Sequence, residues 1–298
     1  MIDPLPRAWG ELPGSARIRA RPEDFLVEEQ LGFASDGEGE HALLLLEKRG
    51  RNTQDIARAL AGLAAVPERD IGFCGLKDRN AVTRQWFSVG LAGSVEPDWS
   101  VLESGADLRV LEVSRHRKKL RRGVHRNNRF TLVLRDWSGN AAAQSARLQR
   151  VRDEGVPNYF GEQRFGREGH TLERALAWMG AGGRLRRAQR SLYLSALRAH
   201  IFNALLAARL AAGNWLGMEA HAIAMLAGSR SFFRVEEVDD DLLRRVAEGD
   251  LHPGLPLWGR AKPDGASLQL PAELVALGAF LEDQGLALDY RAVRVIPD

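Results

Sequence analysis

The chain has 298 residues, of which 45% are hydrophobic, so it can bury the core of one large domain or of two smaller ones. Its single cysteine, Cys74, excludes an intrachain disulfide and a cysteine-rich zinc site, and its apolar runs are too short to span a membrane. The net charge of +3 is small, although only five of the 42 basic residues are lysines. The arginine excess suits phosphate binding but is equally expected of a GC-rich genome. The N-terminus lacks the apolar segment of a secretory signal, which favours a cytoplasmic protein.

The first 135 residues predict mostly strands with one helix. Residues 52–66 have apolar side chains at helical spacing, and Asn52 or Thr53 can cap this helix. Extended or strand segments are predicted at 17–29 with a break at Pro22, and at 40–50, 85–89, 108–113 and 129–135. In the last of these, alternation places Phe130, Leu132 and Leu134 on one face.

The second half of the chain predicts helices instead. They are expected at 141–154, 171–179 and 191–212, and Pro271 opens a fourth. Residues 249–265 contain three prolines and are expected to be mostly loop. The change in composition near residue 150 predicts an α+β protein with two parts.

Basic residues are concentrated in one segment, residues 115–129, which has eight of them and no acid. Such a segment is often a solvated face, but this one runs directly into a predicted strand, which fixes it to the domain. We therefore predict a positive patch that binds RNA phosphates. Its members are Arg115, Arg117, Lys118, Lys119, Arg121 and Arg122. A second arginine cluster follows at 184–190.

Residues 75–89, GLKDRNAVTRQWFSV, are the densest candidate for chemistry. Asp78 lies between Lys77 and Arg79, and neighbouring cations favour an ionised carboxylate, which can act as a nucleophile. From spacing alone a surface ion pair is the simpler interpretation. Residues 158–166, NYFGEQRFG, are a second candidate, either as a loop suited to base stacking or as aromatic core filling.

Several common site motifs are missing from the sequence. It has no phosphate-binding P-loop, no dinucleotide-binding glycine motif and no histidine spacing that suits zinc. We therefore expect neither a nucleotide cofactor nor a metal. His41, His116 and His125 have no partner that the sequence identifies.

GLKDRNAVTRQWFSV resembles the catalytic motif of the TruD family of tRNA pseudouridine synthases. Four further segments resemble the family's motifs in the same order: PEDFLVEE at 22–29, RNNRFTLVLR at 126–135, NYFGEQRFG at 158–166 and SLYLSALRAHIFNALLAARL at 191–210. The resemblance extends from about residue 10 to the C-terminus.

This resemblance implies isomerisation of uridine to pseudouridine in tRNA, at position 13, without a cofactor. It implies Asp78 as the catalytic residue and Phe25, Asn128, Phe130 and Lys77 as substrate-binding residues, with Phe130 stacking on the base. It also implies a pseudouridine-synthase-like mixed sheet at residues 1–150 and an inserted α-rich domain at 151–298. We expect a monomer with tRNA as its partner.

The family's sequences continue past the counterpart of RAVRVIPD with a strand that returns to the catalytic core and supplies another aromatic residue. No such motif precedes Asp298, so we expect this return to be missing and assign no residue to that aromatic position.

Two other functions are compatible with the residues. One is a non-catalytic RNA-binding protein that remodels tRNA through the patch at 115–129. The other is a metal-dependent hydrolase that uses Asp70, Asp78 and Asp107, although these aspartates are not clustered in the sequence.

Overall fold

A computed structural model describes residues 5–11, 13–103, 105–260 and 270–297, with Arg167 described by its backbone alone. The α+β fold predicted from the sequence is confirmed. The chain forms two compact units, residues 14–139 and the remaining residues on either side of that range. The helix at 141–154 therefore belongs to the second unit. The predicted catalytic domain at residues 1–150 was defined by its function and not by compactness, so its boundaries stay a prediction.

In its described residues, the first unit has eight strands and one α-helix. They are β1 (Gly14–Arg17), β2 (Phe25–Gln30), β3 (His41–Arg49), α1 (Thr53–Leu63), β4 (Ile71–Phe73), β5 (Val82–Gly90), β6 (Leu108–His116), β7 (Asn127–Leu132) and β8 (Arg135–Gly139). Six strands form a mixed sheet of order β6-β3-β5-β2-β7, with β4 paired to β5, and β1 pairs with β8. The β2–β5 pair is parallel and the other pairs are antiparallel.

The core of this unit lies between the sheet and α1. β3 is an inner strand whose leucines face both sides of the sheet, which accounts for its nearly continuous apolar run. Leu44 and Leu46 pack with Ile56 and Leu60 of α1, and all four side chains are fully buried. Asn52 is the N-cap of α1, as one of the two predicted alternatives, but its side chain bonds Asp55 and caps no backbone N–H.

The predicted single strand over 129–135 is wrong at its C-terminal end. β7 ends at Leu132, and Asp136 has a φ of 51°, so Leu134 does not extend the face shared by Asn128 and Phe130. The turn is held by Asp24, whose buried carboxylate accepts two hydrogen bonds from Arg135 at 2.6 and 2.8 Å. This bidentate pair fixes Arg135, which pairs with Arg17 of β1 and not with β2.

The described part of the second unit has five α-helices and six short strands. They are α2 (Ala141–Glu154), β9 (Val156–Pro157), α3 (His170–Ala181), α4 (Arg187–Ala211), β10 (Ile223–Leu226), β11 (Phe232–Arg234), α5 (Asp240–Ala247), β12 (Leu251–Leu257), α6 (Val275–Asp283), β13 (Asp289–Ala292) and β14 (Arg294–Val295). The helices predicted from the sequence are confirmed within a few residues. An antiparallel sheet of order β11-β10-β12-β13 packs with α4, whose Leu197 and Ile201 are fully buried.

The loop predicted at 249–265 is wrong over β12, which is an inner strand despite its two prolines. Its first half pairs with β10 and its second half with β13. Pro253 and Pro256 thus each pair with one neighbouring strand, as at a sheet edge, where a missing N–H is tolerated. The rest of the predicted loop falls largely on residues 261–269, outside the described residues.

The Asp24–Arg135 pair generates a stability prediction. Asp24→Asn removes the charge that Arg135 binds, so the free energy of unfolding should fall. Arg135 lowers the pKa of Asp24 below its ordinary value of 3.8 through these hydrogen bonds. The stabilisation is therefore complete above the ordinary pKa and is lost as the pH falls through the lower, folded-state pKa.

Chemical denaturation of both proteins between neutral and acidic pH measures this effect. Asp136→Asn is the matched control, because its ion pair with Arg17 is exposed and should contribute little. Equal loss of stability in the two variants would contradict the role given to Asp24.

Candidate active site

Asp78 lies on the loop between β4 and β5 in the first unit. Its side chain is exposed, and its carboxylate makes no hydrogen bond or ion pair with the described residues. The two flanking cations point elsewhere: Lys77 binds Glu29, and Arg79 donates to the carbonyl of Gly50 at 3.1 Å. The surface ion pair that spacing favoured is therefore wrong, and the carboxylate of Asp78 is open to solvent.

Two side chains below the loop fix its backbone. The hydroxyl of Thr53 accepts a hydrogen bond from the backbone N–H of Lys77 at 3.0 Å and donates to the amide oxygen of Gln85 at 3.0 Å. The amide of Gln85 donates in turn to the carbonyl of Gly75 at 2.6 Å. Both side chains are buried, so these hydrogen bonds hold the loop against α1 and β5.

Lys48 is a third support, and the sequence analysis missed it. Its side chain is 1% exposed, and its ammonium donates to the carbonyls of Arg51 at 2.8 Å and Asp78 at 3.0 Å. Burial lowers the pKa of Lys48 to about 8, while the nearby charge of Asp78 acts in the opposite direction. One signal was present in the sequence: Lys48 continues the alternation of Ala42, Leu44 and Leu46 on the buried face of β3.

Lys77 forms a buried ion pair with Glu29 of β2, in which the side chains are 6% and 0% exposed. Glu29 also accepts a hydrogen bond from the backbone N–H of Trp86 at 3.2 Å. This arrangement ties the loop to β2 and β5. The contact that the structure gives Lys77 is thus with Glu29, and its predicted contact with substrate stays a prediction.

Glu29 also faces Cys74 and His125, and the three could offer ligand atoms within 4.8 Å of one another. Burial is the main cause that raises the pKa of the Cys74 thiol to about 12, and the charge of Glu29 and a hydrogen bond to it add to the effect. A protonated thiol and a carboxylate already paired with Lys77 are poor metal ligands. The cluster therefore fits a hydrogen-bonded support of the loop and not a metal site.

Phe25 and Phe130 stack across the β2–β7 pair, with ring centroids 6.0 Å apart and planes 10° from parallel. Phe25 is buried at 3% exposed, whereas Phe130 is 58% exposed, so one ring supports the other and the outer ring is open to a ligand. The guanidinium of Arg19 lies 4.2 Å from the centroid of Phe25.

Asn128 shares the strand face of Phe130 and pairs in register with Glu29. Its amide nitrogen lies 3.1 Å from the ring of His125, while its amide oxygen is buried and without a hydrogen-bond partner in the described residues. The structure therefore brings Phe25, Phe130, Asn128, Lys77 and the Asp78 loop to one side of the sheet, linked through Glu29.

The basic patch lies toward the other end of β3. His116, next to Arg115, pairs with His41 at the start of that strand, while Lys48 lies seven residues further on, about 23 Å along an extended chain. Arg115 is paired with Glu96 at 2.6 Å, and Arg117 is paired with Glu38. Lys119 donates to a backbone carbonyl. Lys118, Arg121 and Arg122 are exposed and make no hydrogen bond or ion pair with the described residues.

The segment that carries the patch is anchored to the sheet, as the sequence predicted. Leu120 is buried, and its backbone N–H donates to Ser88 at 2.9 Å. The N–H of Gly123 donates to the carbonyl of Cys74 at 2.7 Å. The patch and the loop of Asp78 are thus parts of one packed unit.

The aspartates of the hydrolase alternative are not brought together. In the described part of the chain, the cluster of possible metal ligands contains Glu29, Cys74 and His125 and none of Asp70, Asp78 and Asp107. Asp107 instead lies 3.5 Å from the guanidinium of Arg51. The metal-dependent hydrolase is therefore not supported by the geometry.

The family model of tRNA pseudouridine synthase D (TruD) matches residues 9–176 of this chain, which span the loop of Asp78 and the Phe25–Phe130 pair. The chain belongs to this family. It is 46% identical to the tRNA pseudouridine synthase D of Methylococcus capsulatus, over 100% of this chain and 86% of that protein. It is 47% identical to that of Pseudomonas putida, over 92% of this chain and 77% of that protein.

The fold of this TruD family member also matches a solved structure. The crystal structure of a tRNA pseudouridine synthase D from Methanosarcina mazei superposes with a TM-score of 0.73, at 20% identity, over 97% of this chain and 86% of that one. None of the helices in the described ranges has the length and apolarity that crossing a membrane requires.

The support around Glu29 generates a prediction for Cys74. In the folded protein at neutral pH, a thiol that is buried and has a pKa of about 12 should react with iodoacetamide far more slowly than a free cysteine. Glu29→Gln removes the charge that contributes to the raised pKa and should increase the rate. Mass spectrometry of alkylated protein, with a denatured sample as the control, measures both rates. Fast alkylation of the folded wild type would contradict the described position of Cys74.

Proposed function

We propose that this chain isomerises uridine to pseudouridine in tRNA, at position 13 as the family resemblance implies, with Asp78 as the catalytic residue. The observation that carries this proposal is the state of Asp78. Its carboxylate is exposed and unpaired, while its backbone is held by the buried side chain of Lys48. A reactive group on a fixed support is what catalysis requires.

The target base must leave the RNA stack to be reached. Phe130 supports this step, because its exposed ring is backed by Phe25 and can stack on a flipped base. Asn128 lies on the same strand face and can offer its amide to a polar edge of the base. Lys77 contributes to the substrate site by holding Glu29 and the loop in place.

The reaction itself rearranges bonds within one nucleotide. The bond from C1′ to N1 breaks, the base turns, and a bond from C1′ to C5 forms; C5 loses a proton and N1 gains one. An ionised carboxylate can attack C1′ or C6, or can remove a proton. Atoms and electrons balance within the substrate and solvent, so this scheme requires no cofactor.

The patch at 115–122 supports binding of the tRNA backbone. Lys118, Arg121 and Arg122 are free to contact phosphates, whereas Arg115 and Arg117 would first have to leave Glu96 and Glu38. Lys119 is held by a backbone carbonyl. A protein that acts on tRNA in this way would work in the cytoplasm, and one polypeptide contains all the residues named here.

A non-catalytic RNA-binding protein is the alternative, and Asp78→Asn separates the two. The substitution keeps the size of the side chain and removes its charge, so pseudouridine formation should fall below detection while the affinity for tRNA is unchanged. Release of tritium from tRNA labelled at uridine C5 measures the reaction, and filter binding measures affinity. Asp107→Asn is the matched control and should retain activity. Substantial turnover by Asp78→Asn would exclude this residue as the catalyst.

Lys48 generates a second prediction for the same reaction. Lys48→Met removes the charge from a buried position and keeps most of the volume, so the loop loses its link to the ammonium. We expect kcat to fall about tenfold or more, as for a small misplacement of a catalytic group, with KM for tRNA unchanged. In the wild type, kcat should also decline as the pH rises past about 8, where Lys48 loses its proton between the charges of Asp78 and Lys77.

The pH profile distinguishes this role from simple packing. Lys48→Met should show no such decline near the pKa of Lys48, because it has no proton to lose. Thermal unfolding of the variant provides the control for stability. A normal kcat in Lys48→Met would show that the ammonium does not position Asp78.

A further inference from the structure

The second unit contains a groove that the site around Asp78 does not use. It has a volume of about 370 Å³ and lies beside α4, between that helix and residues Leu257 and Leu286. Its polar lining comes from one face of α4, with Arg187, Arg190 and Arg198 joined by two serines. Among the residues that the structure describes, no acidic side chain lines it.

The three arginines keep their charge without a carboxylate partner among the described residues. Arg187 is exposed and makes no hydrogen bond there. Arg190 donates to the carbonyl and side-chain oxygens of Gln284, both at 3.0 Å. Arg198 donates to the carbonyls of Leu257 at 2.6 Å and Ala287 at 3.0 Å. Neutral oxygens orient these groups but do not cancel their charge.

The hydrogen bonds to neutral oxygens do not satisfy all the donors of Arg198. Its Nε atom is buried and has no hydrogen-bond partner in the described residues. Burial lowers the pKa of this guanidinium, and the charge of Asp289 opposes the effect only in part. Arg198 is half-buried and its guanidinium has no hydrogen-bonded anion among the described residues, so a bound phosphate could supply one.

Two more arginines stand next to the groove, on the ring of Phe160, which itself lines it. The guanidinium of Arg291 lies 4.1 Å from the ring centroid, and that of Arg164 lies 5.2 Å from it. Arg164 also donates to Ser195, one of the lining serines, at 2.8 Å. Burial is the main cause that lowers the pKa of Arg291, and the positive charge of Arg164 adds to the effect, so like charges are held close together here.

We propose that this arginine groove binds phosphodiester groups of the tRNA substrate, as a contact separate from the patch at 115–122. The proposal deepens the function proposed above and rests on it for the identity of the RNA. Arginine suits this ligand because its planar fork of donors matches phosphate oxygens. Arg164 and Arg291, which stack on Phe160 but do not line the groove, add to the positive charge beside it.

Two observations favour RNA over an acidic peptide as the ligand: the substrate of the related proteins and the lining of the groove. The relatives named above are tRNA pseudouridine synthases, and tRNA is a polyanion large enough to contact several places on a protein. The lining combines the donors of three arginines and two serines with apolar residues and the ring of Phe160, on which a base could stack. The arginine groove is therefore suited to the successive phosphates of an RNA backbone.

The test is the double variant Arg187→Gln/Arg190→Gln, measured for tRNA affinity by filter binding over a range of salt concentrations. Loss of two phosphate contacts should raise Kd about tenfold and reduce the slope of log affinity against log salt by about 1.5. The rate of pseudouridine formation at saturating tRNA should be unchanged. Arg244→Gln is the matched control, because this exposed arginine of α5 is paired with Asp241 and Glu248 and should affect neither quantity.

Three results would overturn the proposal. These are an unchanged Kd and salt slope in the double variant, an equal change in the Arg244→Gln control, or weakened binding of inorganic phosphate or polyglutamate without weakened binding of tRNA. Arg187→Gln alone keeps the test valid if the double variant loses thermal stability, since Arg187 bonds no described residue. Absence of turnover in the wild type would instead refute the proposed function, while the binding comparison would stand.

Discussion

The loop of Asp78 depends on an ammonium group that is hidden inside the sheet. Lys48 is almost inaccessible to solvent, and the acceptors that satisfy it are the carbonyls of Arg51 and Asp78 itself. An ammonium removed from water is strongly unfavourable without such acceptors. The observed loop conformation satisfies this charge, so the backbone of Asp78 is fixed by a group that never touches its carboxylate.

The two carboxylates near this loop, those of Glu29 and Asp78, lie in different environments. Glu29 is buried and takes the ammonium of Lys77, which secures the loop to β2 and β5. Asp78 is exposed and takes no cation, although it stands between Lys77 and Arg79 in the sequence. The buried charge is thereby neutralised, and the carboxylate of Asp78 is left unpaired at the surface. An Asp78 paired with either neighbour would have to break that pair before it could act.

The basic residues of the two units differ in how far carboxylates neutralise their charge. In the first unit, part of the basic patch is already neutralised by Glu96 and Glu38. In the second, the arginines of the groove beside α4 are oriented by neutral oxygens and keep their charge. A basic side chain that has no carboxylate partner can bind an RNA phosphate without first breaking an ion pair.

Local periodicity was enough to predict the strand-rich first part, nearly all the helices and so the α+β class, whereas Asp78, Phe25, Asn128 and Phe130 were implied as site residues by the resemblance of contiguous motifs to one family. The sequence predicted β12 as a loop, since proline lacks the strand donor, and only the tertiary structure shows that each proline there has one paired neighbour. The partners of the site were decided in the same way. Lys48 and Glu29 reach the loop across strands whose register depends on packing of the whole sheet, and no local pattern records which side chains that register brings together.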